Sequence, residues 1–311
     1  MKNILIIGLK VLLTSVLFFL IFRNMDINNI LHLIQNSSLF FFLLALFVLV
    51  LQNFVAATRW NSVLSHQKIH IGYHKALSYL WIGLFFNQAL PSSIGGDALK
   101  GYYLYKRGFS AVNSTLGVLL DRVLGMIGLV ILVVAALPLF FQYVDDTIAQ
   151  SGVVAISLAS LFIIVILLIF DFLPKTLFSY RILNGLRLLS IQGRKLIFST
   201  STGGLLILLS IVIHLFSIFA VMLLSQGMGM NLSLVHVLMV LPIVFLVMTI
   251  PISIAGWGVR EGVMVIGFGY LGIASEQVLA LSILYGILTL VSTIPGIIIW
   301  FFNDHLVIKK E

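Results

Sequence analysis

Two short polar motifs interrupt apolar segments of this chain, and their residue types suit the binding of an anion. The first runs from Pro91 to Lys100 and the second from Pro251 to Arg260; proline, serine, isoleucine, glycine and a final cation recur at the same offsets. Proline ends an incoming helix, glycine permits a tight turn, and the outgoing helix begins with unbonded backbone N–H groups. Together with the cation, those N–H groups form a site suited to phosphate.

The candidate residues fall into two sets. We expect phosphate ligands among the turn residues and the terminal cations, namely Ser93, Gly95, Gly96, Lys100, Ser253, Gly256 and Arg260. We expect the residues of the second group to determine the charge of the surrounding cavity; they are Asp97, Asp121, Arg122 and Glu261. Neighbouring residues on a helix face different sides, so Asp121 or Glu261 should pair across the bundle with Arg260, Lys100 or Arg122. The alternatives are a purely structural turn, with Asp97 as a helix cap, and structural ion pairs.

The composition indicates that these motifs lie inside a membrane. Of the 311 residues 61% are hydrophobic and 9% are charged, and the mean hydropathy is +1.18, which excludes a soluble enzyme. The formal charge of +8 is typical of cytoplasmic loops of a membrane protein and implies no nucleic-acid partner. The absence of cysteine excludes a disulfide framework and a thiolate zinc site. We expect no catalytic residue, metal or cofactor.

The hydropathy pattern predicts an all-α, polytopic membrane protein that forms a single integral membrane domain over residues 1–311. About eight hydrophobic segments are expected. Six are long enough to span a bilayer: Ile4–Phe22, Leu39–Ala57, Val112–Phe140, Gly152–Leu173, Ser201–Leu224 and Val278–Phe302. The two broken segments, Ala76–Leu90 and His236–Gly272, are predicted to be re-entrant hairpins, because irregular backbone at membrane depth survives only where protein or a water-filled cavity satisfies it.

The distribution of lysine and arginine predicts the orientation. With the N-terminus inside, 14 of the 18 basic residues, Arg59 included, fall on cytoplasmic segments, and Arg23 alone falls outside. This bias places both termini in the cytoplasm. Three spans separate the motifs at 91–100 and 251–260, so the two halves are inverted, as in transporters with a midplane site. Residues 174–200 suggest either a helix on the inner membrane surface or an ordinary basic loop.

The motifs resemble those of a known family. The stretch Asn87–Lys100, the pair Asp121–Arg122 and the stretch Pro251–Gly262 are similar to the flippase-like transmembrane domain of lysylphosphatidylglycerol synthases, and the resemblance covers nearly the whole chain. It implies movement of aminoacylated phosphatidylglycerol between leaflets. In those synthases a separate cytosolic domain makes the lipid, and no such domain follows here before Glu311, so we expect no synthase activity. Relatives often carry glutamate where this chain has Asp121.

The sequence therefore favours a lipid translocase of the inner membrane that moves an anionic or aminoacylated phospholipid or a related polar lipid. The alternative is a membrane-embedded enzyme, or an accessory subunit, in aminoacyl-lipid or glycolipid synthesis. Membrane lipids are the expected partners. A lipid-modifying synthase and a second copy of the chain are further partners that the sequence leaves open.

Overall fold

The computed structural model describes residues 11–303 except 13, 17–18, 24, 90–94, 175–179, 199–200, 231 and 251. Within these ranges the regular elements are helices, which confirms the predicted all-α class. They are α1 (Ile27–Gln35), α2 (Leu39–His66), α3 (Tyr73–Ala89), α4 (Gly95–Lys106), α5 (Ala111–Tyr143), α6 (Thr147–Ile169, extended by a 3₁₀ turn at Phe170–Phe172), α7 (Arg181–Phe198), α8 (Gly203–Gly227), α9 (Leu234–Met248), α10 (Val259–Gly269), α11 (Ser275–Ser292) and α12 (Ile294–Asn303).

Five helical segments in the described residues are long and apolar enough to cross a membrane, so the chain is a polytopic membrane protein. They match five of the six predicted spans; the sixth, Ile4–Phe22, falls largely on residues outside the described ranges. The five are Leu39–His66, Ala111–Tyr143, Thr147–Phe172, Gly203–Gly227 and Ser275–Phe302.

Local sequence explains where several helices begin. Ser110 accepts a hydrogen bond from the backbone N–H of Asn113 at the start of α5 (3.1 Å). Asp146 accepts bonds from Ile148 and Ala149 at the start of α6 (2.7 and 3.1 Å). Each side chain satisfies N–H groups that have no partner within the helix.

Small residues bring the long helices into close contact. A Cβ atom on Gly128 of α5 would lie 2.7 Å from Cβ of Ser210 on α8, and one on Gly227 of α8 would lie 2.8 Å from Cβ of Phe41 on α2. Lipid tails are as apolar as leucine, so helix association in a membrane depends on such close packing rather than on removal of apolar surface from water. The contacts hold α2, α5 and α8 together around the polar residues described below.

The first predicted hairpin is formed by α3 and α4, which run antiparallel. Tyr79 stacks on Tyr103 with ring centroids 5.0 Å apart, Gly83 packs on Lys100, and Asn87 bonds to Gly96, so the contacts proceed in reverse order along the two helices. With 17 and 12 residues, α3 and α4 are shorter than the roughly 20 residues of a full span.

The second hairpin, α9 and α10, has the same antiparallel order. A Cβ on Gly267 would lie 2.7 Å from Cγ1 of Val240, and one on Gly256, just before α10, would lie 2.5 Å from Cε of Met248. The helices have 15 and 11 residues. The depth to which either hairpin enters the membrane remains a prediction.

The basic segment 174–200 contains a helix, α7, docked through polar contacts. Arg194 donates to both carboxylate oxygens of Asp171 (2.7 Å each), and its guanidinium lies 4.4 Å from the ring centroid of Phe172. Ser190 donates to the carbonyl oxygen of Leu168 and to Asp171 (2.8 and 2.7 Å). Arg194 therefore attaches α7 to the end of α6.

Candidate functional site

The first motif is built on a close backbone contact between α3 and α4. A Cβ on Gly96 would lie 1.8 Å from the carbonyl oxygen of Gly83, a distance that no side chain could occupy. The N–H of Gly96 donates to Oδ1 of Asn87 (2.9 Å). The protein itself thus satisfies an amide that the sequence analysis assigned to phosphate. Gly95 begins α4, and Ser93 lies outside the described residues.

The cation of the first motif is buried in a charge cluster. Lys100 is 5% exposed, and its ammonium lies 2.8 Å from Oδ1 of Asp97 and 5.1 Å from the ring centroid of Trp60. Arg122 of α5 donates to the other carboxylate oxygen, Oδ2. Asp97 therefore bridges two cations and joins α4 to α5, and the cluster carries one net positive charge.

The second motif forms a tight turn that precedes α10. Ala255, Gly256 and Gly258 have φ values of 50°, 81° and 83°, the left-handed region that favours glycine. Ser253 is buried. The N–H of Gly258 donates to Oε2 of Glu261 (2.6 Å), so a carboxylate of the chain takes this helix-terminal N–H group.

Arg260, the last residue of the second motif, makes several contacts with its neighbours. Its Nε donates to Oε1 of Glu261 (3.0 Å) and to Oγ of Ser282 (3.1 Å), and its Nη2 lies 2.5 Å from the same Oε1. The guanidinium is stacked 4.5 Å from the ring centroid of Trp257. A Cβ on Gly286 would lie 2.1 Å from Nη2, so glycine at this position leaves room for the guanidinium.

Glu261 pairs with Arg260, one of the three cations expected for it, although the two are neighbours on α10 and do not pair across the bundle. The long glutamate side chain curls back toward the N-terminus of α10, and the arginine reaches it there. Glu261 is fully buried, and its two oxygens accept bonds from Gly258, Arg260 and Ser282. A buried carboxylate requires this degree of compensation.

A further ion pair, between Asp121 and Arg59, was not anticipated from the sequence. Asp121 pairs with Arg59 of α2 (Nε to Oδ1, 2.8 Å), not with any of the cations proposed for it. Arg59 also donates to Oγ of Ser210 on α8 (2.9 Å) and is buried. The pairing predicted for Asp121 was wrong because α2 continues nine residues beyond the apolar run, to His66, and so carries Arg59 to Asp121. The buried Trp60, Val63 and Leu64 were the signal that could have shown this.

A polar cavity of about 300 Å³ lies between the helices. Its wall combines residues of α2, α3, α5, α8, α9, α10 and α11, and Arg260 is the charged side chain in this wall. The polar residues that line it are Gln52, Gln88, His214, Ser217, Thr249, Arg260, Tyr285 and Thr289. Glu261 is not part of the lining, so the cavity faces the guanidinium while the carboxylate lies behind it.

Hydrogen bonds hold three of these side chains in the wall. Ser217 donates to Oε1 of Gln52 (3.0 Å), and Nε2 of His214 lies 3.0 Å from the carbonyl oxygen of Gly125. The latter contact agrees with a packing role for His214, yet the histidine also faces the cavity. The sequence analysis did not identify His214, Gln52 or Ser217 as cavity residues.

The two motifs contribute unequally to this cavity. Arg260 and Ala255 of the second motif line it. The first hairpin contributes Gln88, which lies three residues before Pro91. Lys100 is absent from the described lining and contacts Asp97, Trp60 and Gly83 instead. Asp97 and Arg122 line a different cleft, between α4 and α5.

Comparison with known proteins agrees with this architecture. A UPF0104 membrane protein of Pyrococcus horikoshii is 26% identical over 147 residues, which cover 46% of this chain and 42% of that protein, less than half of its length. The family model described as the lysylphosphatidylglycerol synthase TM region matches residues 6–296. The match covers both hairpins and every ion pair described above. The chain therefore belongs to the lysylphosphatidylglycerol synthase TM region family.

Proposed function

We propose that this protein is a lipid translocase that moves an anionic or aminoacylated phospholipid, or a related polar lipid, between the leaflets of the inner membrane. The observation that carries the proposal is the polar cavity with a buried arginine inside a bundle of apolar helices. Ionisable side chains at membrane depth are costly and mark substrate pathways. The family name, which refers to a lipid synthase, supports a lipid as the substrate.

The charge of the cavity suits a phosphodiester. Arg260 presents a planar guanidinium with several donors, and its counter-charge, Glu261, is shielded from the cavity. The glutamine, serine and threonine side chains of the wall supply neutral donors and acceptors for the rest of a headgroup. The cavity volume of about 300 Å³ is at the lower end of the volumes typical of ligand pockets. We infer that the headgroup enters while the acyl chains remain in the bilayer.

The inverted hairpins support movement between leaflets. The helices of the two hairpins have 17, 12, 15 and 11 residues, against about 20 for a full span. From the charge distribution we expect the base of the first hairpin on the cytoplasmic side and the base of the second outside. A site between opposed hairpins can be opened to one side at a time. On the same charge distribution, we propose that both termini are cytoplasmic.

The test is transport in reconstituted vesicles. Phosphatidylglycerol with a fluorescent label on one acyl chain is incorporated in both leaflets, and the fraction that becomes accessible to a membrane-impermeant quencher is followed with time. The key variant replaces both members of the cavity ion pair, Arg260→Gln with Glu261→Gln, because removal of one partner would leave a buried charge and cost about 3–5 kcal/mol. The matched control, Arg194→Gln with Asp171→Asn, removes an ion pair outside the cavity.

We expect the cavity variant to slow transport at least tenfold, since a hydrogen bond to a charged group contributes about 1.5–3 kcal/mol. The control should retain the wild-type rate. Wild-type transport by a folded cavity variant would refute the assignment of this site. Mass spectrometry of the same vesicles tests the alternative, because an enzyme would create a new lipid species and a translocase would only redistribute the labelled one.

A further inference from the structure

A second cleft, distinct from the Arg260 cavity, lies between α4 and α5. Its volume is about 500 Å³, and its walls include Gly101, Tyr102, Val118 and Leu119. The lining is mostly apolar and includes one pair of charged residues, Asp97 and Arg122, which we call the charged end. The cleft thus combines an apolar surface with a local charged group, as a lipid does.

The apolar part of the cleft opens to the outer surface of the bundle. Beyond the adjoining backbone of α4, the described residues have no atom within 4 Å of the position that a Cβ on Gly101 would take. Tyr102 and Leu119 are 48% and 38% exposed. With this surface in contact with the bilayer, as the predicted hairpin requires, a lipid can enter the cleft from the side.

The charged end carries a net positive charge. Lys100 and Arg122 contribute two cations and Asp97 one anion. The side chain of Arg122 is 44% exposed, whereas that of Asp97 is 8% exposed, so the cation is the member of the pair that a ligand meets. The ammonium of Lys106 lies 5.5 Å from the ring centroid of Tyr102 and adds positive charge near the cleft. A phosphodiester complements this arrangement.

We propose that this cleft binds one anionic phospholipid of the surrounding membrane, with its phosphodiester at Arg122 and an acyl chain against Gly101 and Leu119. The site is additional to the headgroup cavity, and it binds lipid whether or not the protein transports it. A free phosphate shares the headgroup chemistry but would leave the apolar walls unoccupied. Because the walls are mostly apolar, they favour a lipid as the source of the phosphate.

The test is photolabelling of the full chain in nanodiscs. Phosphatidylglycerol with a photoreactive acyl chain is crosslinked, and the labelled peptides are identified by mass spectrometry. Gly101→Leu fills the cleft without touching the ion pair. Gly204→Leu is the matched control, because Gly204 of α8 also faces open space. Burial of a leucine-sized chain contributes about 1.5–3 kcal/mol, so we expect Gly101→Leu to lower labelling of α4 and α5 about tenfold and Gly204→Leu to leave it unchanged.

A second variant separates the headgroup from the acyl chain. Arg122→Gln leaves Asp97 paired with Lys100, so it should lower labelling by phosphatidylglycerol and leave labelling by a photoreactive diacylglycerol unchanged. Thr115→Leu, which fills the cleft from α5, should reproduce the result of Gly101→Leu if that variant does not fold.

Two results would overturn the proposal. The first is undiminished labelling of α4 and α5 in a folded Gly101→Leu protein, which would show only unspecific contact with bulk lipid. The second is competition by inorganic phosphate as effective as competition by short-chain phosphatidylglycerol, which would show a free-anion site. Photolabelling requires no transport, so failure here leaves the proposed function standing, and failure of the transport assay leaves this site standing.

Discussion

Two glycines of the same helix, Gly96 and Gly101, should respond in opposite ways to replacement by alanine. A methyl group on Gly96 would lie 1.8 Å from the carbonyl oxygen of Gly83 and 2.8 Å from the backbone nitrogen of Asn87. Backbone atoms cannot rotate away, so α3 and α4 must separate. Overpacking costs about 1–3 kcal/mol where side chains can adjust, and we expect about 3 kcal/mol or more here.

A methyl group at position 101 would meet no atom of the described residues within 4 Å, the adjoining backbone of α4 apart. In a helix, alanine is favoured over glycine by about 0.5–1 kcal/mol, so Gly101→Ala should be slightly stabilising. Both variants add one methyl group to the same helix, so helix propensity favours alanine in each. A loss of stability in Gly96→Ala and a gain in Gly101→Ala would therefore be due to the contact of Gly96 with α3.

The assay is thermal unfolding of the purified protein in detergent. In soluble proteins of comparable size 1 kcal/mol corresponds to about 2–4 °C, so Gly96→Ala should lower Tm by roughly 6 °C or more and Gly101→Ala should not lower it. The distance between Asn87 and Gly96 should increase in the first variant, which spin labels near the two positions can measure. Equal Tm values for the two variants would refute the close packing of this hairpin.

Two further predictions concern the other hairpin and the outer surface. Gly286→Ala should reduce lipid transport severalfold, because the new methyl group would lie 2.1 Å from Nη2 of Arg260 and would push the guanidinium out of its position. An unchanged rate would contradict the role of this cation. Hydrogen bonds from the backbone of Ala149 and then from the Tyr270 hydroxyl hold the pKa of Asp146 below its usual 3.8. The stabilisation that a lowered carboxyl pKa provides is present above the unfolded pKa and is lost as the pH falls through the folded pKa. Wild-type protein should therefore exceed Asp146→Asn in Tm at about pH 7, and this advantage should shrink as the pH falls below 3.8.

Features with a strong local cause could be predicted from the sequence. Long apolar runs predicted five spans that the structure contains, and the proline and glycine motifs predicted that the helices α3 and α9 end near Pro91 and Pro251. The side-chain pairings could not be derived in this way. Three cations were expected as partners of Asp121, and the partner proved to be Arg59, which lies 62 residues earlier on a helix whose end was misplaced. Such a pairing depends on how α2 and α5 cross, which hydropathy does not encode.

The two motif cations illustrate why matched sequence need not mean matched chemistry. Lys100 and Arg260 occupy equivalent offsets, and each lies over a tryptophan, beside a carboxylate and against a glycine. Lysine is a compact point charge, and its nearest carboxylate, Asp97, also receives Arg122. The guanidinium of Arg260 is planar with five donors, so it can hold Glu261 and Ser282 through one edge and still face the cavity with the remainder. The two motifs therefore share a way of burying a cation, while the arginine, not the lysine, lines the cavity.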